Sequence, residues 1–152
     1  MNQTVQNILE TYWDAKIPID PDFIAEKLGL SIIKDDLSLK PGYLDVEKKE
    51  IYVNCEETTT RQRFVIAREL GHYCLGHNCS FYETSDARYR IFSEEQKEEA
   101  NQFALDLLMP AAAVKAVMDG MGIRDVKRIR EMFDVSAKVL QVRLLQLGYI
   151  NL

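Results

Sequence analysis

The sequence predicts an α+β fold in which a small antiparallel three-stranded sheet packs on one central helix, with further helices flanking both. Three short runs rich in apolar residues lie between residues 30 and 54, and apolar residues recur at helical spacing before and after them. The 152 residues are 47% apolar and 28% charged, so the chain can bury a stable core without disulfide bonds or a structural metal ion. We therefore expect one domain over residues 1–152, with a C-terminal helical segment at 111–152.

Two helices are predicted ahead of the sheet. Apolar residues recur at helical spacing over residues 5–13 and indicate an amphipathic first helix. Asp20 and Pro21 have the character of an N-cap and a first helical residue. The second helix should bury Phe23 and end at Gly29. Both helices are expected to be scaffold.

The three strands are predicted at residues 30–33, 43–46 and 50–54. The last two are joined by the polar turn 47–49, which favours an antiparallel hairpin. The central helix should begin at Thr59, which has capping-box spacing to Gln62.

Residues 81–92 show no clean period and predict a loop into a helix that begins near Ser93 and ends before Pro110. Three shorter helices are predicted to follow, at residues 111–119, 125–133 and 137–147.

The charge and the cysteines limit the location and the partners of the chain. The net charge of −5 argues against general affinity for nucleic acid. Residues 124–147 carry six Lys/Arg and three Asp/Glu, a local +3. The chain shows neither a signal-peptide pattern nor an apolar run of membrane-spanning length, so we expect a cytoplasmic protein without membrane contact. Cys55, Cys74 and Cys79 are expected to be free thiols.

The central helix carries a pattern close to that of a zinc peptidase, Arg68-Glu69-Leu-Gly-His72. In an HExxH helix the two histidines lie about 40° apart around the axis, so both can reach one metal ion. The glutamate is the general base, and a later residue completes the ligand set. In this chain an arginine stands in place of the first histidine.

The stretch RFVIARELGHYCLGH, followed by EEANQFALDLLMP, resembles the ImmA/IrrE family of zinc metallopeptidases. Family members typically carry an HELGH-type helix and a later E-A-N-x-F-A-x-x-L-L-M-P helix. The segments IYVN and FDVSAKVLQVRLLQLGYI are similar to the family too, so the resemblance runs from about residue 20 onward. It implies a zincin-like metallopeptidase core that binds zinc and cleaves a helix-turn-helix repressor, often one encoded beside it on a phage or mobile element.

By the resemblance, Glu69 corresponds to the general base, His72 to the second histidine ligand and Glu99 to the carboxylate ligand. Helical geometry also favours Glu99, which precedes Phe103 by one turn at the edge of an apolar stripe, whereas Glu98 should face outward. We therefore expect Glu99 to point inward.

Arg68 departs from the family pattern, because a guanidinium has only donors and keeps its charge, and so cannot bind zinc. His77 is not expected to replace the missing ligand, since it follows His72 by five residues, should point about 140° away and should lie beyond the end of the helix. Zinc binding is therefore expected to be weak or absent. We hypothesise that Arg68 pairs with Glu69 or Glu99 in place of the metal. Either the site is naturally degenerate, or Arg68 is a single replacement, natural or engineered, in an otherwise active enzyme.

Three functions remain open on the sequence. The first is a zinc endopeptidase that is impaired or inactive because of Arg68. The second is a non-catalytic protein-binding module, a pseudopeptidase, that regulates a transcriptional repressor or a toxin–antitoxin partner. Residues 125–147 also resemble a helix-turn-helix, but their apolar residues are those that a helical cap needs, so direct DNA binding is not expected.

Overall fold

The computed structural model describes residues 3–78 and 86–151. Its strands are β1 Ser31–Asp35, β2 Gly42–Asp45 and β3 Glu50–Asn54. Its α-helices are α1 Gln3–Tyr12, α2 Pro21–Lys27, α3 Thr59–Cys74, α4 Glu94–Leu108, α5 Ala111–Lys115, α6 Val126–Phe133 and α7 Ala137–Gln146. A short 3-10 helix covers Ala87–Tyr89, and a π-helical turn, Ala116–Gly120, continues α5. The predicted α+β class with three strands is confirmed.

The sheet is mixed, so the prediction of an antiparallel sheet is wrong for one strand. The strand order is β1-β3-β2. The β2–β3 hairpin is antiparallel, with Tyr43 opposite Tyr52. The first strand runs parallel to β3, with Ile33 opposite Tyr52. Because β1 pairs with β3 and not with its neighbour in sequence, the chain reverses twice between the two paired strands, which makes them parallel.

Helix α3 lies at the centre of the fold, between the sheet and α4. Alternate residues of the hairpin, Leu44, Ile51 and Val53, are at most 4% exposed and belong to the same core as α3. Gly42 permits the close approach of β2, because a Cβ there would lie 2.5 Å from Val65 Cγ1. Gly71 does the same for α4, since its Cβ would lie 3.0 Å from the side chain of Phe103. Two glycines thus bring the edge strand and α4 close to α3.

Two local predictions near α2 and α3 are corrected. The N-cap of α3 is Thr58, whose side chain accepts a hydrogen bond from Arg61 N. Gln62 instead donates to the carbonyl of Glu57 at 2.8 Å, so the predicted Thr59–Gln62 capping box is absent. Asp20 does cap α2, but Phe23 is 43% exposed and is not a core residue.

The later elements follow the prediction with one shortening. Ser93 caps α4 in a full capping box with Gln96, and Asp125 caps α6. The helix predicted at 111–119 is α-helical only to Lys115 and ends in the π-helical turn. Of the predicted loop 81–92, residues 81–85 lie outside the described part of the chain.

The turn between α6 and α7 is bound to the start of α3 by a hydrogen bond and an ion pair. Asp134, the left-handed C-cap of α6, accepts a 2.6 Å hydrogen bond from Thr60 Oγ1. Arg63 reaches the same turn, with Nε 3.2 Å from Asp134 Oδ2. These contacts bind the helix-turn-helix-like segment to the motif helix, as a helical cap would be bound. Within the described residues, no helix has the length and apolar character needed to cross a bilayer.

Candidate functional site

The C-terminal half of α3 presents the three predicted motif residues together. Glu69 and His72 lie one turn apart and are 5% and 2% exposed. Arg68, beside them, has a side chain that is 19% exposed. The burial follows from the packing of α3 between the sheet and α4, which leaves this end of the helix covered on both sides.

His77 also belongs to the site, although its spacing from His72 predicted the opposite. Its Nδ1 atom lies 2.9 Å from His72 Nδ1, and the residue is 8% exposed. The expectation that His77 points away from His72 is wrong because α3 ends at its C-cap Leu75. Gly76 then adopts φ +66°, and the chain turns back on the helix end. Gly76 was the available signal, since glycine commonly takes this left-handed position after a helix.

Glu99 reaches the site from α4, but it does not point inward as expected. Its side chain is 50% exposed, and Oε2 lies 3.5 Å from His77 Nε2. Glu98 is exposed, as predicted. We call Arg68, Glu69, His72, His77 and Glu99 the motif-helix site.

Arg68 makes a long ion pair with Glu69, with 3.8 Å between Nη2 and Oε1. The other carboxyl oxygen of Glu69, Oε2, is buried and has no hydrogen-bond partner among the described residues. Burial raises the pKa of the Glu69 carboxyl, against a smaller lowering by Arg68 and Lys40. Arg68 thus neutralises Glu69 only in part, and one buried acceptor is left open.

The imidazole of His72 is held neutral and fixed in orientation. Burial lowers its pKa to about 3, with further lowering by His77, Arg68 and Lys97. Phe92 stacks on the ring, with 3.7 Å between the ring centroids and 8° between the planes. Because one face is covered and Nδ1 is engaged by His77, the ring has little freedom to turn.

A pocket of about 470 Å³ opens beside the motif-helix site. Arg68, Glu69 and His72 form part of its wall, and Lys40, Arg90 and Lys97 also line it. Among the described lining residues there are four cations and one carboxyl group, so the pocket favours a ligand with acceptor atoms. A smaller adjoining pocket of about 140 Å³ is lined by Gly42, Tyr43 and Leu44 of β2, together with Glu69 and His77.

The described residues do not fit a tetrahedral zinc site. Arg68 supplies no lone pair at the first ligand position. His77 does not replace that ligand, because its Nδ1 atom lies 2.9 Å from His72 Nδ1, the separation of a direct hydrogen bond. In the part of the chain that the structure describes, no three His, Cys, Asp or Glu side chains converge as a metal-binding group. Of the cysteines, Cys55 and Cys74 are free thiols, and Cys79 lies outside the described residues.

Comparisons with known proteins connect the chain to metallopeptidases. The chain matches the IrrE N-terminal-like domain, a peptidase family, over residues 25–145. It is 25% identical over 119 residues to a protein of Bacillus subtilis (strain 168) named Metallopeptidase ImmA, covering 77% of this chain and 70% of that protein. The family match, over residues 25–145, spans the sheet, α3 and α4, and therefore the whole motif-helix site.

A solved structure shares the fold. A Mycobacterium tuberculosis transcriptional regulator superposes with a TM-score of 0.64 at 15% sequence identity, over 95% of this chain. The chain spans about half of that regulator's length, 47%. At this identity the likeness concerns the fold alone.

Proposed function

The chain belongs to the IrrE N-terminal-like domain family of metallopeptidases, and from that premise we propose that it regulates a transcriptional repressor by holding a peptide segment at the motif-helix site. We propose that it cuts that segment poorly or not at all. The observation that carries this proposal is Arg68, whose guanidinium lies 3.8 Å from Glu69 at the position of the first zinc ligand. A fixed cation there opposes metal binding and attracts peptide carbonyl or carboxylate oxygens.

The other motif residues keep their positions in this proposal. Glu69 holds the position of the general base, His72 that of the second histidine ligand and Glu99 that of the carboxylate ligand. All of them have engagements that do not involve a metal: Glu69 with Arg68, His72 with His77, and Glu99 with His77. Weak or absent zinc binding remains a prediction.

The edge of the sheet supports the peptide-holding part of the proposal. In the described part of the chain, β2 is an edge strand that pairs only with β3. Three of its residues line the small pocket that also contains Glu69 and His77. An extended segment can add to such an edge through main-chain hydrogen bonds, and side chains along it can enter the neighbouring pockets. The proposed partner is therefore a segment in extended conformation.

The test is incubation of the purified chain with a helix-turn-helix repressor encoded beside it, followed by co-purification and mass spectrometry of the repressor. We expect a stable complex and intact repressor. Repressor fragments that appear with the wild-type chain and disappear with a chelator would establish the endopeptidase and overturn our proposal.

A charge-reversal pair tests whether the pocket contacts the partner. Lys97 lines the large pocket, whereas Lys127 lies exposed on α6, outside the residues that line it. Both Lys97→Glu and Lys127→Glu change the net charge by the same amount. We expect Lys97→Glu to weaken the complex by about tenfold or more, equivalent to about 1.4 kcal/mol, with little effect of Lys127→Glu. Equal effects would show that only net charge matters.

A further inference from the structure

The chain contains only two histidines, and they contact each other. His72 and His77 are both buried, with 2.9 Å between their Nδ1 atoms. A hydrogen bond at this distance contains one proton, so one Nδ1 atom donates and the other accepts. The two arrangements place the remaining ring protons on different nitrogens, and so give the site different chemistry.

Glu99 distinguishes the two arrangements. Among the described residues, the Nε2 atom of His77 is buried without a hydrogen bond, and Glu99 Oε2 lies 3.5 Å from it. If Nε2 of His77 carries the proton, an N–H faces the carboxylate, which is favourable, and the half-exposed Glu99 can shorten the contact by a small rotation. If Nε2 lacks the proton, a nitrogen lone pair faces a carboxylate in a buried position, which is unfavourable.

We propose that His77 is a positioning residue: it donates from Nε2 toward Glu99, accepts the Nδ1–H of His72, and thereby leaves the lone pair of His72 on Nε2. The order of hydrogen bonds is therefore His72 to His77 to Glu99. A second partner on one ring nitrogen commonly sets the tautomer of a functional histidine in this way. Phe92, stacked on His72, holds the ring plane while the bond to His77 holds its rotation.

The consequence is a defined acceptor at the pocket. His72 lines the large pocket together with Arg68, and its Nε2 atom has no described hydrogen-bond partner. The wall then offers a neutral acceptor, His72 Nε2, in addition to the cationic donor Arg68. This pair is complementary to the N–H and C=O groups of a peptide, a step that rests on the proposed peptide-holding function. The tautomer itself does not depend on that function.

The test is a long-range 1H–15N correlation spectrum of the free chain labelled with 15N-histidine, recorded at about pH 8, where ordinary imidazoles are neutral. Protonated and unprotonated ring nitrogens resonate in separate 15N ranges, and two histidines give only four signals. We expect His72 as the Nδ1–H tautomer and His77 as the Nε2–H tautomer. His72 as the Nε2–H tautomer in the wild-type chain would overturn the proposal.

Two matched variants separate positioning from packing. In His77→Asn the side-chain oxygen lies near the place of Nδ1 and can accept from His72, whereas in His77→Gln the amide reaches the place of Nε2. We expect the Asn variant to keep His72 as Nδ1–H, and the Gln variant to shift it toward Nε2–H. Amide spectra confirm that each variant is folded, and if either variant is not, the wild-type spectrum alone decides. The same tautomer in both variants would show that His77 does not set it. Loss of repressor binding with the expected tautomers intact would count against the proposed function alone.

Discussion

Two arginine–carboxylate pairs, Arg143–Asp106 between α7 and α4 and Arg68–Glu69 on α3, are built differently. Arg143 Nη1 lies 3.0 Å from Asp106 Oδ1, and Arg143 Nε donates to the carbonyl of Met109 at 2.9 Å. Asp106 also accepts from Gln102 at 3.0 Å. The Arg68–Glu69 pair is longer, at 3.8 Å, and leaves Glu69 Oε2 without a partner.

The difference separates a structural pair from a site. Buried polar groups are nearly always hydrogen-bonded. A buried polar group without a hydrogen-bond partner lowers stability, and such groups are expected at functional sites. The Arg143–Asp106 pair joins α7 to α4, and neither of its side chains has a buried polar atom without a partner. The Arg68–Glu69 pair lies at a pocket, and its acceptor Glu69 Oε2 has no partner in the described part of the chain. We therefore assign ligand binding to this pair and not to the Arg143–Asp106 pair.

The largest expected effect is at the structural pair. Asp106→Ala leaves the Arg143 guanidinium, 4% exposed, without its charge partner, which should cost about 3–5 kcal/mol of unfolding free energy. Urea denaturation measures it, with the exposed Glu98→Ala on the same helix as control, for which we expect a change within about 0.5 kcal/mol. A loss below about 1 kcal/mol at Asp106 would remove the distinction between the two pairs.

The next effect is a pH dependence at the motif-helix site. The pKa of His72 is lowered from 6.5 to about 3, so between these values the unfolded chain binds a proton that the folded chain does not. The stabilisation is complete above pH 6.5 and is lost as the pH falls toward 3, by at most about 1.4 kcal/mol per pH unit. Urea denaturation across this range should show a shallower loss for His72→Gln than for wild type. Parallel curves would contradict the burial of a neutral imidazole.

The ionisation of Glu69 should change the free energy of unfolding with pH in the direction opposite to that of His72. Because burial raises its pKa above the ordinary value of 4.5, the folded chain holds a proton that the unfolded chain releases as the pH rises. Glu69→Gln should therefore gain stability relative to wild type as the pH increases above 4.5, by at most about 1.4 kcal/mol per pH unit. Denaturation at several pH values measures the gap, and a gap that narrows with rising pH would contradict the assignment.

The smallest effect is expected at Arg68. Its ion pair is long and its side chain partly exposed, so Arg68→Met should change the unfolding free energy by less than about 1 kcal/mol. The matched variant, Arg143→Met, removes a shorter and more buried pair and leaves Asp106 unpaired, and should cost several times more. Similar losses in the two variants would show that Arg68 is structural.

The sequence predicted most elements but not how they assemble. Helix starts are local signals: Asp20 was predicted as the cap of α2, and α4 was predicted to begin near Ser93, which is its cap. The parallel pairing of β1 was missed because it depends on which edge of the hairpin the strand meets, and no local pattern determines that. Thr58 was missed as the cap of α3 because the neighbouring Thr59 can cap a helix equally well. Which threonine is the cap depends on the residue at which the backbone becomes helical.

The motif-helix site was predicted only in part, again because local patterns do not determine the direction that the chain takes after an element ends. Helical spacing placed Glu69 and His72 together, and their burial agrees with it. Helical spacing also excluded His77, although the residue was expected to lie just beyond the end of α3. The left-handed turn at Gly76 changes the direction of the chain and brings His77 to His72. The turn at Gly76 is therefore the reason why His77, which contacts both His72 and Glu99, was not predicted as a site residue.

The most direct test of the central claim, that Arg68 removes the metal function of this site, is the zinc content of the wild-type chain and of Arg68→His after purification without chelators. We predict far less than one zinc per wild-type chain and about one per Arg68→His chain, since histidine restores a third ligand beside His72 and Glu99. One tightly held zinc per wild-type chain would contradict the claim.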